Sequence, residues 1–103
     1  MAQHNPPHPG EFIREIYMTP NELSVRRVAE NLGVAPSTVN RLLNAQSNVS
    51  PEMALRLSKA LGRSPESLLA MQDAYSLWHA RRRVNLKAVK KLDVAADSPN
   101  VDP

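Results

Sequence analysis

The sequence predicts an all-α fold. Successive segments place apolar residues at i, i+3 and i+4, the spacing of one helix face. Prolines and Ser-Pro-Glu triplets stand where helices begin, and Gly33 and Gly62 stand where they end. No stretch alternates apolar and polar residues as a half-buried strand would.

Residues 1–8, rich in proline and histidine, are expected to form an extended arm. A first helix is expected from Pro9 to about Met18. Pro9 suits the first helical position, Glu11 complements the helix dipole, and Phe12, Ile13, Ile16 and Tyr17 make one apolar stripe. Thr19-Pro20-Asn21 is expected to end it, because the residue before proline disfavours the helical region.

Ser24 is a good N-cap for a second helix carrying Val25, Val28, Ala29 and Leu32, with Gly33 as the left-handed stop. Pro36 opens a third helix whose apolar face is Val39, Leu42 and Leu43, and which ends near Asn44-Ala45. After a polar loop over 46–49, Ser50-Pro51-Glu52 starts a fourth helix with Met53, Leu55, Leu57, Ala60 and Leu61. Ser64-Pro65-Glu66 starts a fifth that runs to about Arg83. Asn85 is expected to cap a short helical extension over 84–92, bearing Leu86, Val89 and Leu92. The tail 93–103 has no periodicity and is expected to be disordered. The organisation is therefore an arm, one domain over 9–83, a short extension and a tail.

Composition narrows the function. The chain has 103 residues and no cysteine, so one modest core must form without disulfides or zinc thiolates. No apolar run approaches the roughly 20 residues that cross a bilayer. The N-terminus lacks the basic-then-apolar order of a signal peptide, and a cytoplasmic protein is expected. The net charge is +3, and residues 1–92 carry all 13 cations against seven of the ten acids. Such a body suits a polyanionic partner.

The segment from about 24 to 44 has the spacing of a helix-turn-helix. Val28, Leu32, Val34, Val39 and Leu42 are apolar, Ala29 is small, and Gly33 falls in the turn. Two helices crossing steeply over a short turn come closest near Ala29, where a larger side chain would force them apart. The residues left for the outside of the third helix are Ser37, Thr38, Asn40, Arg41 and Asn44. Arginine can take guanine O6 and N7 together, and asparagine adenine N6 and N7. Arg26, Arg27 and the loop residues Gln46, Ser47 and Asn48 are expected, with Asn44, to hold phosphates.

At these residues the chain resembles the lambda-repressor/Cro class, and more specifically the HigA branch of antitoxins. His8-Pro9-Gly10-Glu11 resembles the opening motif of that branch. Leu23 to Leu43 and the run from Pro51 to Leu57 resemble its next two blocks. Ser64-Pro65-Glu66 with Gln72-Asp73-Ala74-Tyr75-Ser76-Leu77 resembles its closing block. Leu68 and Ala70 depart from it, standing where the branch usually has tryptophan and asparagine.

The resemblance implies a five-helix bundle, a dimeric repressor of its own operon on palindromic DNA, and neutralisation of a HigB/RelE-like ribonuclease toxin. Carried over by position, the groove-facing residues are Pro36, Ser37, Thr38, Asn40 and Arg41. The alternative function is a stand-alone regulator without a toxin partner.

Helix five has more apolar groups than one face of so small a core needs. Leu68, Met71, Tyr75 and Trp78 are therefore expected at a two-fold contact between copies. Six cations and no acid lie between Arg81 and Leu92, suited to phosphates, to an acidic partner surface or to the helix C-terminal dipole. His4, His8 and His79 lack supporting ligands and read as capping or surface groups, so no metal or cofactor is expected. No nucleophile, glycine-rich phosphate loop or acid–base constellation suggests an enzyme.

Overall fold

The computed structural model describes residues 5–94. Within them the chain forms five helices and no strand. Helix α1 is continuous but changes pitch: an α-helical turn at Pro9–Ile13, a π-helical segment at Arg14–Met18, and a last α-helical turn at Thr19–Asn21. The others are α2 (Val25–Leu32), α3 (Pro36–Leu43), α4 (Pro51–Leu61) and α5 (Pro65–Arg83).

The starts and stops follow the expected chemistry. Ser24, Ser50 and Ser64 each sit in extended backbone and accept a hydrogen bond from the amide three residues on. Gly33 and Gly62 adopt φ of 71° and 84°, which glycine reaches without a β-carbon clash. At Gly33 the close is a Schellman motif: Val34 N–H donates to Ala29 C=O, and Gly33 N–H to Glu30 C=O.

Two further Schellman closes use residues other than glycine. Ala45, at φ 58°, ends α3, with Gln46 N–H donating to Arg41 C=O and Ala45 N–H to Leu42 C=O. Glu22, at φ 54°, ends α1, with Leu23 N–H donating to Met18 C=O and Glu22 N–H to Thr19 C=O.

Two boundaries differ from the sequence expectation. Helix α1 does not stop before Pro20 but runs through Asn21. A proline ring inside an α-helix collides with the carbonyl four residues back. The wider π turn preceding Pro20, in which Thr19 N–H reaches back to Arg14 C=O, carries the chain past that conflict.

The expected helical extension over 84–92 is absent. Val84 leaves α5 in extended backbone, and only one turn follows, closed by Val89 N–H to Leu86 C=O. Every residue from Arg81 to Val94 is exposed, so Leu86, Val89 and Leu92 find no surface on this chain to pay for ordering a helix. Residues 1–4 of the arm expected over 1–8, and residues 95–103 of the tail expected to be disordered over 93–103, lie outside the described residues.

The core lies where α1, α3 and α5 meet the α2–α4 pair. Val39, Ala54, Leu57 and Leu68 are each at most 1% exposed, and Ile13, Leu32, Leu42 and Val49 close around them. Each fully buried leucine contributes on the order of 1.5–3 kcal/mol of transfer free energy. Leu55 is 61% exposed, and Ala54 takes the inward position on α4 instead.

Candidate nucleic-acid interface

The geometry of α2 and α3 comes from three places in the sequence. Ala29, 1% exposed, is the small residue that α2 buries in the core, and α2 packs against α3. Gly33 turns the chain between them. From outside the motif, Arg56 on α4 fixes the turn: its Nη1 donates to the carbonyls of Leu32 (2.8 Å) and Gly33 (3.3 Å). Glu52 orients that guanidinium, accepting from Nε at 3.2 Å and from Nη2 at 3.0 Å. The last carbonyls of α2 are thus satisfied by a cation, the charge their end of the helix dipole favours.

Helix α3 is placed by α1. Gly10 packs against the backbone at Leu42 and Leu43 so tightly that a β-carbon would overlap the Leu42 carbonyl and lie 2.8 Å from Leu43 Cα. His8 sets the start of α1. Its Nδ1 accepts from Gly10 N–H at 2.9 Å, and its ring, 3% exposed, meets Tyr75 of α5 edge-to-face at 4.8 Å. Burial pushes the His8 imidazole below its ordinary value, and the Ser47 backbone and Glu11 carboxylate oppose that shift.

Helix α3 presents Ser37, Asn40, Arg41 and Asn44 at i, i+3, i+4 and i+7, all exposed, with Thr38 half-buried beside them and Pro36 exposed at the first position. Val39, Leu42 and Leu43 are buried on the opposite face. Ala35 supplies no side-chain cap, which leaves the N-terminus of α3 open to an acceptor such as a phosphate oxygen. Among the described residues the one ion pair is Arg56–Glu52, so Arg26 and Arg41 are unpaired. Arg27 is held by its own helix, Nε donating to Asn31 Oδ1 at 3.2 Å. In the loop, Gln46 and Asn48 are exposed and Ser47 half-buried.

The residues expected at a contact between copies separate. Leu68 is fully buried within this chain and has no area to offer a second one, which corrects that expectation. It fills the core because it lies on the face of α5 turned toward the bundle. Met71, Tyr75 and Trp78 are half-buried, and Leu77 is 50% exposed. Tyr75 is engaged within the chain by His8 and by His79, 4.4 Å away. The Arg82 guanidinium lies 3.4 Å from the Trp78 ring centroid, a cation–π contact that occupies one member of the basic run.

A helix-turn-helix family model matches residues 13–68. The Escherichia coli HTH-type transcriptional regulator YddM is 38% identical over 92 residues, covering 89% of this chain and 97% of YddM. Antitoxin HigA-1 of Vibrio cholerae is 34% identical over 90 residues, covering 85% of each chain. The chain belongs to the HigA family of helix-turn-helix proteins.

Among solved structures, this HigA-family chain superposes on the antitoxin GraA with a TM-score of 0.82 at 38% identity, over 87% of this chain and all of GraA. GraA in complex with its operator gives a TM-score of 0.79 at 38% identity, over 92% of this chain and 98% of that one. The five-helix architecture is thus that of the family, with α2 and α3 as the helix-turn-helix.

Sequence reasoning missed what Arg56, Gly10 and Gln72 do. Arg56 shows locally only as an i, i+4 partner of Glu52. Gln72 carries a clearer signal: a polar residue four positions after Leu68, on the face of α5 that points inward.

Proposed function

We propose that the chain binds operator DNA through α3 as a homodimeric repressor of its own operon, and that it also neutralises a HigB/RelE-like ribonuclease toxin. The observation that carries the DNA half is the exposed row Ser37, Asn40, Arg41 and Asn44 on the second helix of a helix-turn-helix held by Arg56 of α4 and Gly10 of α1. Ser37, Thr38, Asn40 and Arg41, with Pro36 at the helix start, read base edges. Arg26, Arg27, Asn44, Gln46, Ser47 and Asn48 hold the backbone. That GraA has been solved with its operator supports this reading.

Two copies present two α3 helices to half-sites about 34 Å apart on a palindrome. Met71, Tyr75 and Trp78 lie at their contact. The toxin half rests on family membership and on the names HigA-1 and GraA. The chain acts by binding rather than catalysis, in the cytoplasm, and needs no cofactor. The name of YddM favours a second reading, a regulator with no toxin partner.

One experiment tests both halves. The chain is co-expressed with the product of the gene next to its own, purified, and mixed with the promoter fragment. Co-purification plus a shifted fragment supports the proposal. A shifted fragment without co-purification favours the regulator, and no shift at low salt removes both.

A further inference from the structure

Gln72 lies where α5 meets the loop that follows α3, and it is 5% exposed. Its Oε1 accepts a hydrogen bond from Val49 N–H at 2.8 Å. Val49 is itself buried, so this amide has no access to water. A backbone N–H only donates, and the bond therefore fixes which end of the Gln72 carboxamide meets it. Nε2 takes the other side and uses its two hydrogens on Asn48 Oδ1, at 3.2 Å, and Ser76 Oγ, at 3.1 Å.

The consequence falls on Asn48. Its carbonyl oxygen is held inward by Gln72. The reversed orientation would set one NH2 group against another. Exposed Asn48 is thereby left with its Nδ2 hydrogens for an outside partner, and that partner must be an acceptor.

We infer that Gln72 is a positioning residue for DNA binding, which turns Asn48 so that Nδ2 donates to a phosphate oxygen of the DNA backbone. This rests on the reading above, in which the loop after α3 lies against the phosphates. Gln72 touches no DNA. It acts by settling the orientation of an amide that otherwise presents an acceptor or a donor equally well.

The test is a double-mutant cycle. Gln72→Met keeps the side-chain length but neither accepts from Val49 nor donates to Asn48. Gln72→Glu keeps an acceptor for Val49 and loses the donor, so Asn48 turns its Nδ2 inward; the added charge acts in both backgrounds and cancels in the cycle. Affinity for a duplex covering the promoter upstream of the chain's own gene is measured by fluorescence anisotropy. The proteins are wild type, Asn48→Ala, each Gln72 variant and each double variant, at a temperature where circular dichroism shows them folded.

Gln72→Glu, which turns Nδ2 inward, is expected to weaken binding about three- to tenfold beyond the cost of its charge, and Gln72→Met, which leaves the amide free to face either way, about twofold. In the Asn48→Ala background the Gln72→Met loss disappears and the Gln72→Glu loss falls to the part caused by its charge alone. Equal losses in both backgrounds, or none in either, would overturn the inference. Should Gln72→Met not fold, the Gln72→Glu cycle decides alone. A wild-type chain that does not bind the duplex overturns the DNA reading itself, an outcome distinct from binding without coupling.

Discussion

Gly10 of α1 lies directly against the Leu42 carbonyl of α3, with no room for a β-carbon between them. The first helix therefore sets the position of the helix proposed to enter the groove. His8 caps α1 two residues earlier, and Pro9, also buried, starts it. The His-Pro-Gly-Glu segment is thus a device for seating α1 on α3.

Gly10→Ala must move backbone, because the atoms in the way are the Leu42 carbonyl and Leu43 Cα rather than a flexible side-chain end. Overpacking of this kind costs about 1–3 kcal/mol. The variant is expected to show a lower urea midpoint and weaker operator binding. A midpoint equal to wild type would show that α1 does not press on α3.

Ala45→Gly should stabilise the chain. Ala45 holds φ 58° at the close of α3, a region that L side chains enter at a cost of about 1–2 kcal/mol. Glycine removes that cost and returns part of it as unfolded-chain entropy. The net gain expected is about 0.5–1 kcal/mol, read as a higher urea midpoint with an unchanged slope.

Stability should fall as pH drops below about 6.5. The unfolded chain takes up the His8 proton near the ordinary value of 6.5, whereas burial holds the folded pKa lower. Between the two the unfolded state binds more protons, so the loss begins near 6.5 and is complete once pH passes below the folded pKa. Protonation at Nδ1 would also remove the acceptor that caps Gly10 N–H. In urea titrations from pH 7.5 to 5, His8→Asn should lack this part of the slope. An identical slope in the two proteins would place its source elsewhere.

The helix starts and stops were legible because they are local: a serine three residues before a bonded amide, or a glycine in left-handed backbone, needs no distant partner. Ala29 and Gly33 were legible for the same reason, since both belong to the spacing of one motif. Gly10, Arg56 and Gln72 were not, because each acts across the fold, on Leu42, on the Leu32–Gly33 carbonyls and on Val49 respectively. The misplaced end of α1 at Pro20 has another origin. Proline forbids an ordinary α turn, and nothing in the spacing of apolar residues announces a π segment. The burial of Leu68 is not legible because the surplus of apolar groups on α5 does not say which face meets the core.

The central claim, that α3 reads DNA, is tested most directly with Arg41→Ala. Wild type and variant are titrated against the promoter duplex and against a set of single base-pair substitutions, at fixed salt. Arg41 is exposed and unpaired, and its removal should leave the fold intact. The account predicts a loss of about 1–3 kcal/mol on the parent duplex, with discrimination relaxed at one base pair per half-site. Equal affinity of the two proteins for every duplex, or no binding by wild type at low salt, would contradict it.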